Sequence, residues 1–243
     1  YEALEDVLTG IRDWHGRCLE ALRERAGEVP AREAVRQRLV AALQGVPCQP
    51  ARNFYEALVA TNVVFYLDGC DSLGRIDQDL GAYYERDAAA GEVAEEEAVA
   101  LVRLLWENMD ANSAWNVALG GSTADGDPAY NGLTRVCLKA AVSIRRPNMA
   151  LRLRRDAPDD IYELALDAIA SGCGIPALYN EEGYLQALRK AHLNIQPEDL
   201  ADFAFGGCTE TMVHGKSNVG SLDAGINLLR LLAETLEERL ETT

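Results

Sequence analysis

The chain has 243 residues, which is enough for one large domain or two small ones with a substantial buried core. Its hydrophobic fraction of 48%, its 8 prolines and the lack of low-complexity tracts exclude a disordered protein. With 39 acidic against 23 basic residues the formal charge is −16, which repels phosphate backbones and anionic lipid surfaces, so neither nucleic acid nor a membrane is an expected partner.

Cysteine and histidine usage bears on the compartment and on the kind of site. The six cysteines are widely spaced and form no Cys-x-x-Cys pair, in a chain too large to need disulfides for stability. A reducing, cytoplasmic compartment is therefore expected. The three histidines show no metal-ligand spacing, so we predict no metal site. No signal peptide and no run of about 18 apolar residues is present, so neither export nor a membrane span is indicated.

The first part of the chain has helical periodicity. Apolar residues recur at helical spacing from residue 1 to about 44, and Pro30 separates the last two helices of this region. We expect these apolar stripes to pack in the core. Their members are Leu4, Val7, Leu8, Ile11, Leu19, Leu22, Ala26, Val35, Leu39 and Leu43. After a connector with two prolines, residues 53–67 predict a helix that is apolar almost all round and should be buried.

A polar turn and another helix follow. The turn, within residues 68–80, contains Arg75 and Asp77. A local ion pair between these two at an exposed turn would be worth little, so we favour a structural role for both. Residues 95–109 predict an amphipathic helix. Because the chain begins and ends inside helical patterns, we expect it to be an excerpt of a longer protein.

The second half alternates strands with helices. The apolar run that starts at Trp115 and ends at Gly120 and Gly121 predicts a buried strand with a loop at its C-terminal end. Trp115 is a candidate for lining a substrate pocket, although a large aromatic at a strand start is more often part of the core. Further strands are predicted at 149–154, 175–180 and 203–205, and this alternating order favours parallel pairing.

Helices are predicted between these strands, at 133–144, up to 170, at 181–192 and briefly at 195–200. For the helix that runs to residue 170, Asp156 or Asp159 is the expected N-cap, because a carboxylate there satisfies free N–H groups. Gly172 and Gly174 are expected to end it.

The segment from Phe203 to Glu210 carries the strongest chemical signal. Apolar residues run into Gly206 and Gly207, and then Cys208 and Glu210 stand two positions apart. In an extended or tightly turned backbone such residues project to the same side, which places a redox-capable sulfur beside an acid/base. Glycines let the backbone turn sharply and approach a ligand. The alternative is a buried free cysteine at a strand end, followed by Thr209 and Glu210 at the start of a helix, which is the commoner setting for free cysteine.

This segment, together with residues 211–227, resembles the cysteine loop of the glycyl radical enzymes, the pyruvate formate-lyase superfamily, in the branch with the sequence Gly-Cys-x-Glu. Other motifs occur in the family's order: a proline-rich link into Arg-Asn-Phe-Tyr-Glu-Ala, a strand ending in Leu-Gly-Gly, and an Asn-xxx-Leu helix start at Asn131. The segment 72–78 is similar to the family's Ser-Pro-Gly-Arg-Phe-Asp-Gln loop, with Leu73 and Ile76 as departures. The resemblance covers roughly residue 46 to the C-terminus and is looser before it.

The resemblance implies an α/β fold that is part of a ten-stranded α/β barrel of two antiparallel half-barrels, helix-rich in its first half. Residues 1–243 would be the central portion of the barrel domain, with 1–110 mainly helical and 111–243 alternating strand and helix. The cysteine loop, 206–223, would thread into the barrel centre. The family's Arg-Val-x-Gly-Tyr glycine-radical loop is not in this sequence. We therefore expect a C-terminal glycyl radical domain, absent here, to be needed for activity.

The implied chemistry is anaerobic radical dehydration, or C–N, C–S or C–C bond cleavage, of a small organic substrate. Cys208 would be the thiyl carrier and Glu210 would take a proton from a substrate hydroxyl. Trp115, His214 and Ser221 are candidate substrate-binding residues, although holding the loop is the commoner role for His214 and Ser221. No cofactor is expected in this chain, since the radical resides on the missing glycine. A radical-SAM activating enzyme is the implied partner, and a homodimer is possible.

Four alternatives remain open. A formate C-acetyltransferase-like member would have two adjacent cysteines, whereas Gly207 and Thr209 flank Cys208. An aryl-acetate decarboxylase-like member is a second. The subtype stays open because Thr211 stands where the dehydratase and choline-lyase types often have a proline. An ordinary thiol enzyme using Cys208 with His214 is a third, but no third residue that orients the histidine can be named. The last is a catalytically inactive acidic binding fragment.

Overall fold

The structure is a computed structural model that describes residues 1–69, 72–112, 114–207, 209–217 and 227–241. Its first half consists of helices α1 (Glu2–Glu24), α2 (Glu33–Leu43), α3 (Phe54–Asp68), α4 (Ile76–Ala89) and α5 (Glu95–Ala111). The second half contains β1 (Asn116–Gly120), α6 (Gly132–Ala140), β2 (Asn148–Leu153), α7 (Asp159–Ala168), β3 (Ala177–Asn180), α8 (Glu181–Lys190), β4 (Phe203–Gly206), β5 (Glu210–Val213) and α9 (Leu228–Glu241). Short 3₁₀ segments lie at Pro30–Arg32 and Pro197–Asp202, and a π-helical turn follows α7 at Ile169–Cys173. The division of the chain at residue 110 into two domain regions stays a prediction.

The main sheet is parallel. Strands β1, β2 and β3 pair in that order, as the alternation of strand and helix predicts. Residues 72–74 run alongside β1 on the side away from β2. There the backbone N–H of Leu73 donates to the Asn116 carbonyl at 3.0 Å. The strand predicted at 203–205 is β4, which pairs with β5 in an antiparallel hairpin with Gly206 opposite Glu210. The parallel pairing expected for this strand is therefore wrong in the described part of the chain.

The two faces of the parallel sheet have different side chains. On one face, Val117, Leu119 and Leu151 are fully buried against helices α3 to α7 and form the main core. On the other face, Ala118 and Ala150 pack against β4. Because side chains alternate between the two faces of a strand, Ala118 and Ala150 lie on the same face of the sheet. Their small side chains leave room for the hairpin to lie against it.

The N-terminal region differs from the prediction. A single helix, α1, replaces separate shorter ones, and Leu4, Val7 and Leu8 are 57%, 57% and 56% exposed. The expectation that these residues pack in the core is therefore wrong. Only the C-terminal half of α1 reaches the small core that α2 and α3 form, where Leu19 and Leu22 pack.

Helix α3 is buried on one side and not all round. Phe54 and Phe65 are almost fully buried, whereas Val64 and Tyr66 are about half exposed. An all-apolar helix becomes fully buried only where neighbours cover every side, and the described residues cover one. No described helix is long and apolar enough to cross a membrane.

The ends of α7 confirm one prediction and correct another. Pro158 occupies the N-cap position without a side-chain hydrogen bond, so neither Asp156 nor Asp159 caps the helix. Asp156 instead accepts a 2.7 Å hydrogen bond from Arg154. Gly172 and Gly174 end the helical segment with positive φ angles of 84° and 78°, as predicted.

Candidate functional site

The hairpin β4–β5 carries the cysteine–glutamate motif. Glu210 is the first residue of β5, not the start of a helix, and is half-buried. Its Oε2 accepts a 3.0 Å hydrogen bond from the Thr209 N–H. Gly207 has a φ of +49°, and a Cβ added there would lie 2.5 Å from that same oxygen. The carboxylate of Glu210 is thus folded back over the turn, where only glycine leaves it room. Cys208 lies outside the described residues.

Aromatic rings hold the hairpin against the sheet. Tyr179 of β3 stacks on Phe205 with ring centroids 4.3 Å apart, and Tyr184 of α8 stacks on Phe203 at 4.8 Å. The Tyr184 hydroxyl also hydrogen-bonds the hydroxyl of Thr211 on β5. Phe203 and Phe205 are 1% and 0% exposed. Such ring pairs add to simple area burial, so the hairpin is firmly docked.

Arg152, at the end of β2, contacts the residues that enter the hairpin. It is 0% exposed and forms a two-pronged ion pair with the buried Glu181 at 2.6 and 2.9 Å. Its remaining N–H groups donate to the carbonyls of Phe203 at 2.7 Å and Ala201 at 2.8 Å. The guanidinium carbon also lies 3.7 Å from the centroid of the Phe203 ring. Burial lowers the pKa of Arg152, and Glu181 opposes that shift by its hydrogen bonds and charge.

Arg75 holds the same segment from the opposite edge of β1. It is 3% exposed and donates to the carbonyls of Gly120 and Ser122 at 3.1 and 2.9 Å. It also pairs with the carboxylate of Asp202 at 2.7 Å and donates to the Ala201 carbonyl at 3.4 Å. Arg75 therefore connects the end of β1 with the start of β4, and the structural role predicted for it agrees with these contacts.

Asp77 is a fully buried carboxylate beneath the end of β1. One oxygen accepts from the Gly120 N–H at 2.8 Å and from the Thr134 hydroxyl at 2.7 Å. Its other oxygen has no partner among the described residues. Burial raises the pKa of Asp77, and the hydrogen bonds from Thr134 and Gly120 oppose that shift. Asp77 makes no direct ion pair with Arg75 in the described structure, so the local pair considered above is not formed.

His214 follows β5 and fastens the hairpin to the start of α4. Its Nε2 lies 2.9 Å from the Asp79 carboxylate, and its Nδ1 lies 3.4 Å from the backbone nitrogen of Arg75. The His214 N–H donates to the Asp202 carbonyl at 2.8 Å. The hydrogen bond to Asp79 raises the pKa of His214. Both ring nitrogens are thus engaged, which disfavours a thiol mechanism that uses His214 as the base.

Two further residues, Trp115 and Ser221, are predicted to bind substrate. Trp115 is 40% exposed at the start of β1, and the Arg146 guanidinium lies 5.2 Å from its ring centroid. Its contacts in the described part of the chain do not join it to Glu210, so its role in substrate binding stays a prediction. Ser221 lies outside the described residues. Across the described ranges, no group of three His, Cys, Asp or Glu residues is arranged to hold a metal ion.

Sequence reasoning missed the pair Arg152 and Glu181. The signal was present, because alternation places Arg152 on the same face of β2 as Ala150, the face that packs against β4. A charged residue at an inward strand position needs a buried partner. The identity of that partner depends on the pairing of β3 with β2, which brings Glu181, the residue directly after β3, next to Arg152. No local sequence pattern reveals this pairing.

Comparison with known proteins gives a consistent result. The chain matches the family described as Pyruvate formate lyase-like over residues 1–242. It is 28% identical over 254 residues to isethionate sulfite-lyase of Desulfovibrio desulfuricans, covering 93% of this chain and 30% of that protein. It is 27% identical over 268 residues to "Probable dehydratase YbiW" of Escherichia coli, covering 97% of this chain and 33% of that protein.

Solved structures agree on the fold. A glycyl radical enzyme from Archaeoglobus fulgidus superposes with a TM-score of 0.78 at 23% identity, over 87% of this chain and 30% of that one. The chain therefore spans about a third of the length of the proteins it matches. From the family match over nearly every residue, the chain belongs to the Pyruvate formate lyase-like family.

Proposed function

We propose that this chain is the part of a glycyl radical lyase or dehydratase that carries the thiyl cysteine, Cys208, and its acid/base partner, Glu210. The observation that supports this most directly is the hairpin β4–β5, which packs on the face of the parallel sheet opposite to helices α3 to α7. Its turn lies between Gly206 and Glu210, and the Glu210 carboxylate is folded back toward Gly207. A sulfur and a carboxylate in that turn would serve one small substrate.

The proposed setting is a ten-stranded barrel to which strands β1 to β3 contribute. The small residues Ala118 and Ala150 would then face the barrel interior, where they admit the hairpin. An enclosed interior suits radical chemistry, because excluding water prevents side reactions of a reactive intermediate.

The proposed reaction begins with hydrogen-atom transfer. Cys208 gives the hydrogen atom of its S–H bond to a glycyl radical, which leaves a thiyl sulfur and a closed-shell glycine. The thiyl sulfur takes a hydrogen atom from the substrate carbon that bears a hydroxyl, which restores S–H and leaves a carbon radical. At the end of the cycle the product radical takes the hydrogen atom back from Cys208.

Glu210 is proposed to act between these two transfers. Its carboxylate takes the proton of the substrate hydroxyl as the C=O bond forms. The leaving group on the neighbouring carbon then departs with its bonding electron pair, as water after protonation or as another small anion. The names of the two relatives, a sulfite-lyase and a dehydratase, support elimination rather than acyl transfer.

The remaining parts of the proposal concern partners. The radical-bearing glycine would be supplied by polypeptide outside these residues, and a radical-SAM activating enzyme would generate the radical. The chain itself would bind no cofactor. A cytoplasmic, anaerobic setting and a possible homodimer complete the proposal. Trp115, His214 and Ser221 remain candidate substrate-binding residues, and the hydrogen bonds of His214 favour a role in holding the hairpin.

The test uses the complete protein, activated without oxygen and screened against small hydroxylated substrates that carry a leaving group on the adjacent carbon. We expect Cys208→Ala to retain the glycine-centred radical signal in electron paramagnetic resonance and to lose turnover. Glu210→Gln should also retain the signal and lose about 10²-fold or more in turnover. Cys48→Ala, at an exposed cysteine in the connector, is the control and should keep full activity. Turnover by Cys208→Ala would reject the proposal.

A further inference from the structure

We infer that Arg152 and Arg75 are positioning residues that set how the hairpin β4–β5 lies against the sheet. The inference deepens the proposed function, on which it rests. It starts from the segment Ala201–Phe203, which leads directly into β4 and receives hydrogen bonds from both buried guanidinium groups. The carbonyl of Ala201 accepts from both arginines, at 2.8 Å from Arg152 and 3.4 Å from Arg75.

The two arginines approach this segment from opposite sides of β1. Arg152 projects from the end of β2, and Arg75 from the loop that runs along the other edge of β1. Together they contact three successive residues: the carbonyl of Ala201, the carboxylate of Asp202 and the ring of Phe203. The position of the segment that leads into β4 is therefore fixed relative to β2 on one side of β1 and to the loop at residues 72–75 on the other.

Stability alone does not explain a buried ion pair here. Removing Arg152 and Glu181 from water carries a desolvation cost that well-packed apolar residues would avoid, and such replacements are often neutral or stabilising. A guanidinium instead supplies planar, divergent donors whose directions are fixed. In Arg152 one edge binds Glu181, other N–H groups bind carbonyls two residues apart, and the flat face covers the Phe203 ring. A lysine ammonium matches the charge and cannot make this set of contacts.

The glycine pair at the end of β1 makes room for this arrangement. Gly121 has a φ of +83°, and a Cβ there would lie 2.5 Å from Nε of Arg152. Gly120 has its N–H bound to Asp77 and its carbonyl bound to Arg75. The Leu-Gly-Gly strand end thus leaves Arg152 in place against Phe203, and a substitution at Gly121 tests the arrangement without changing any charge.

The proposed role is geometric, so its loss should affect the chemical step more than substrate binding. The turn of the hairpin lies at the far end of β4 from the two arginines. A small tilt at the entry is carried along the strand to the residues at the turn. Misplacement of reacting groups by about 1 Å can cost about 10²-fold in rate.

The experiment compares Arg152→Lys and Arg75→Lys in the complete, activated enzyme. We expect each to lower kcat by about tenfold or more while KM changes less than about threefold, at wild-type glycyl radical content. Asp202→Asn, at a partly exposed side chain, keeps the shape of the Arg75 partner and should give a smaller loss of the same kind. Gly121→Ala should resemble Arg152→Lys. Arg135→Lys, at a part-exposed ion pair with Asp160, is the matched control and should leave kcat unchanged.

The outcomes separate the two proposals. If Cys208→Ala abolishes turnover but both lysine variants keep kcat within about twofold of wild type, the positioning role is wrong and the proposed function stands. The positioning role is also wrong if the loss of kcat merely follows the loss of folded protein, or if KM rises with kcat unchanged. Should a lysine variant fail to fold, Asp202→Asn and Gly121→Ala decide the question by the same split between kcat and KM.

Discussion

The carboxylate of Glu210 occupies the space that a side chain on Gly207 would need. Gly207 has a φ of +49°, and its missing Cβ would lie 2.5 Å from Oε2 of Glu210. The same oxygen accepts from the Thr209 N–H, so the acid is tied to the turn by a direct hydrogen bond. The backbone conformation of the turn and the orientation of the Glu210 carboxylate therefore depend on each other.

Gly207→Ala should both strain the turn and displace Glu210. A positive φ costs a residue with a Cβ about 1–2 kcal/mol, and the clash adds to this. We expect a lower free energy of unfolding in urea and loss of turnover in the activated complete protein. Gly91→Ala is the matched control, because Gly91 has a φ of +72° and nothing within 4 Å of its added Cβ. It should show the strain without the loss of turnover. Equal activity in the two variants would contradict the arrangement.

Asp77 gives a second prediction, about stability. Asp77→Ala leaves the Gly120 N–H and the Thr134 hydroxyl without their buried acceptor, and each such group costs about 1–3 kcal/mol. Asp77→Asn keeps a side-chain oxygen that can accept from both donors. Urea unfolding at neutral pH should therefore show a large loss for alanine and little or none for asparagine. An asparagine variant as unstable as alanine would contradict the view that the acceptor oxygen accounts for the stabilisation.

His214 predicts a dependence of stability on pH. Its pKa is raised in the folded chain by the hydrogen bond to Asp79. The contribution of His214 to stability is thus fully present below the unfolded pKa of about 6.5, and it is lost as the pH rises through the raised folded pKa. The difference in unfolding free energy between wild type and His214→Gln should be largest in mildly acidic buffer and shrink in alkaline buffer.

The control for this comparison repeats it in an Asp79→Asn background, which removes the carboxylate that the His214 ring contacts. The pH-dependent difference caused by His214→Gln should be smaller in that background. A difference for His214→Gln that is constant with pH, or that grows as the pH rises, would contradict the assigned ion pair with Asp79.

The small residues beneath the hairpin give a packing prediction. Ala150 is 3% exposed and belongs to the same buried cluster as Phe203 and Phe205. Ala150→Leu overfills this interface and should cost about 1–3 kcal/mol, measured by urea unfolding, and it should lower turnover because the hairpin is displaced. Ala89→Leu, at an exposed position of α4, is the control and should cost little. A neutral Ala150→Leu would indicate that the hairpin does not pack there.

Periodicity in the sequence predicted the parallel strands well. The alternation at residues 149–154 and the apolar run before Gly120 each appear as strands, and their order along the chain gives parallel pairing. These patterns succeed because burial against one layer of helices acts on each strand locally. The second strand of the hairpin, β5, was not predicted, since its residues Glu210–Val213 show no apolar alternation and the strand exists through pairing with β4.

The candidate site was only partly accessible to sequence reasoning. The motif predicted Glu210 as a candidate site residue, and the structure adds how its carboxylate lies against Gly207. The buried contacts of Arg75 and Arg152 depend on residues 126 and 51 positions away, which no local pattern encodes. Likewise, the periodicity predicted the apolar stripe of α1 but did not predict that much of it is exposed. A periodic apolar face indicates burial without indicating which other element buries it.

Hydrogen exchange between Cys208 and the radical glycine is the most direct measurement of the central claim, since it needs no substrate. An S–H hydrogen exchanges readily with water and a C–H hydrogen does not, so a thiyl cysteine carries deuterium from D₂O to the α-carbon of the glycine. In the complete enzyme activated in D₂O, the doublet that the single α-hydrogen causes in electron paramagnetic resonance should collapse for wild type and persist for Cys208→Ala. A doublet that persists in wild type, or collapses equally fast in Cys208→Ala, would show that Cys208 is not the hydrogen carrier.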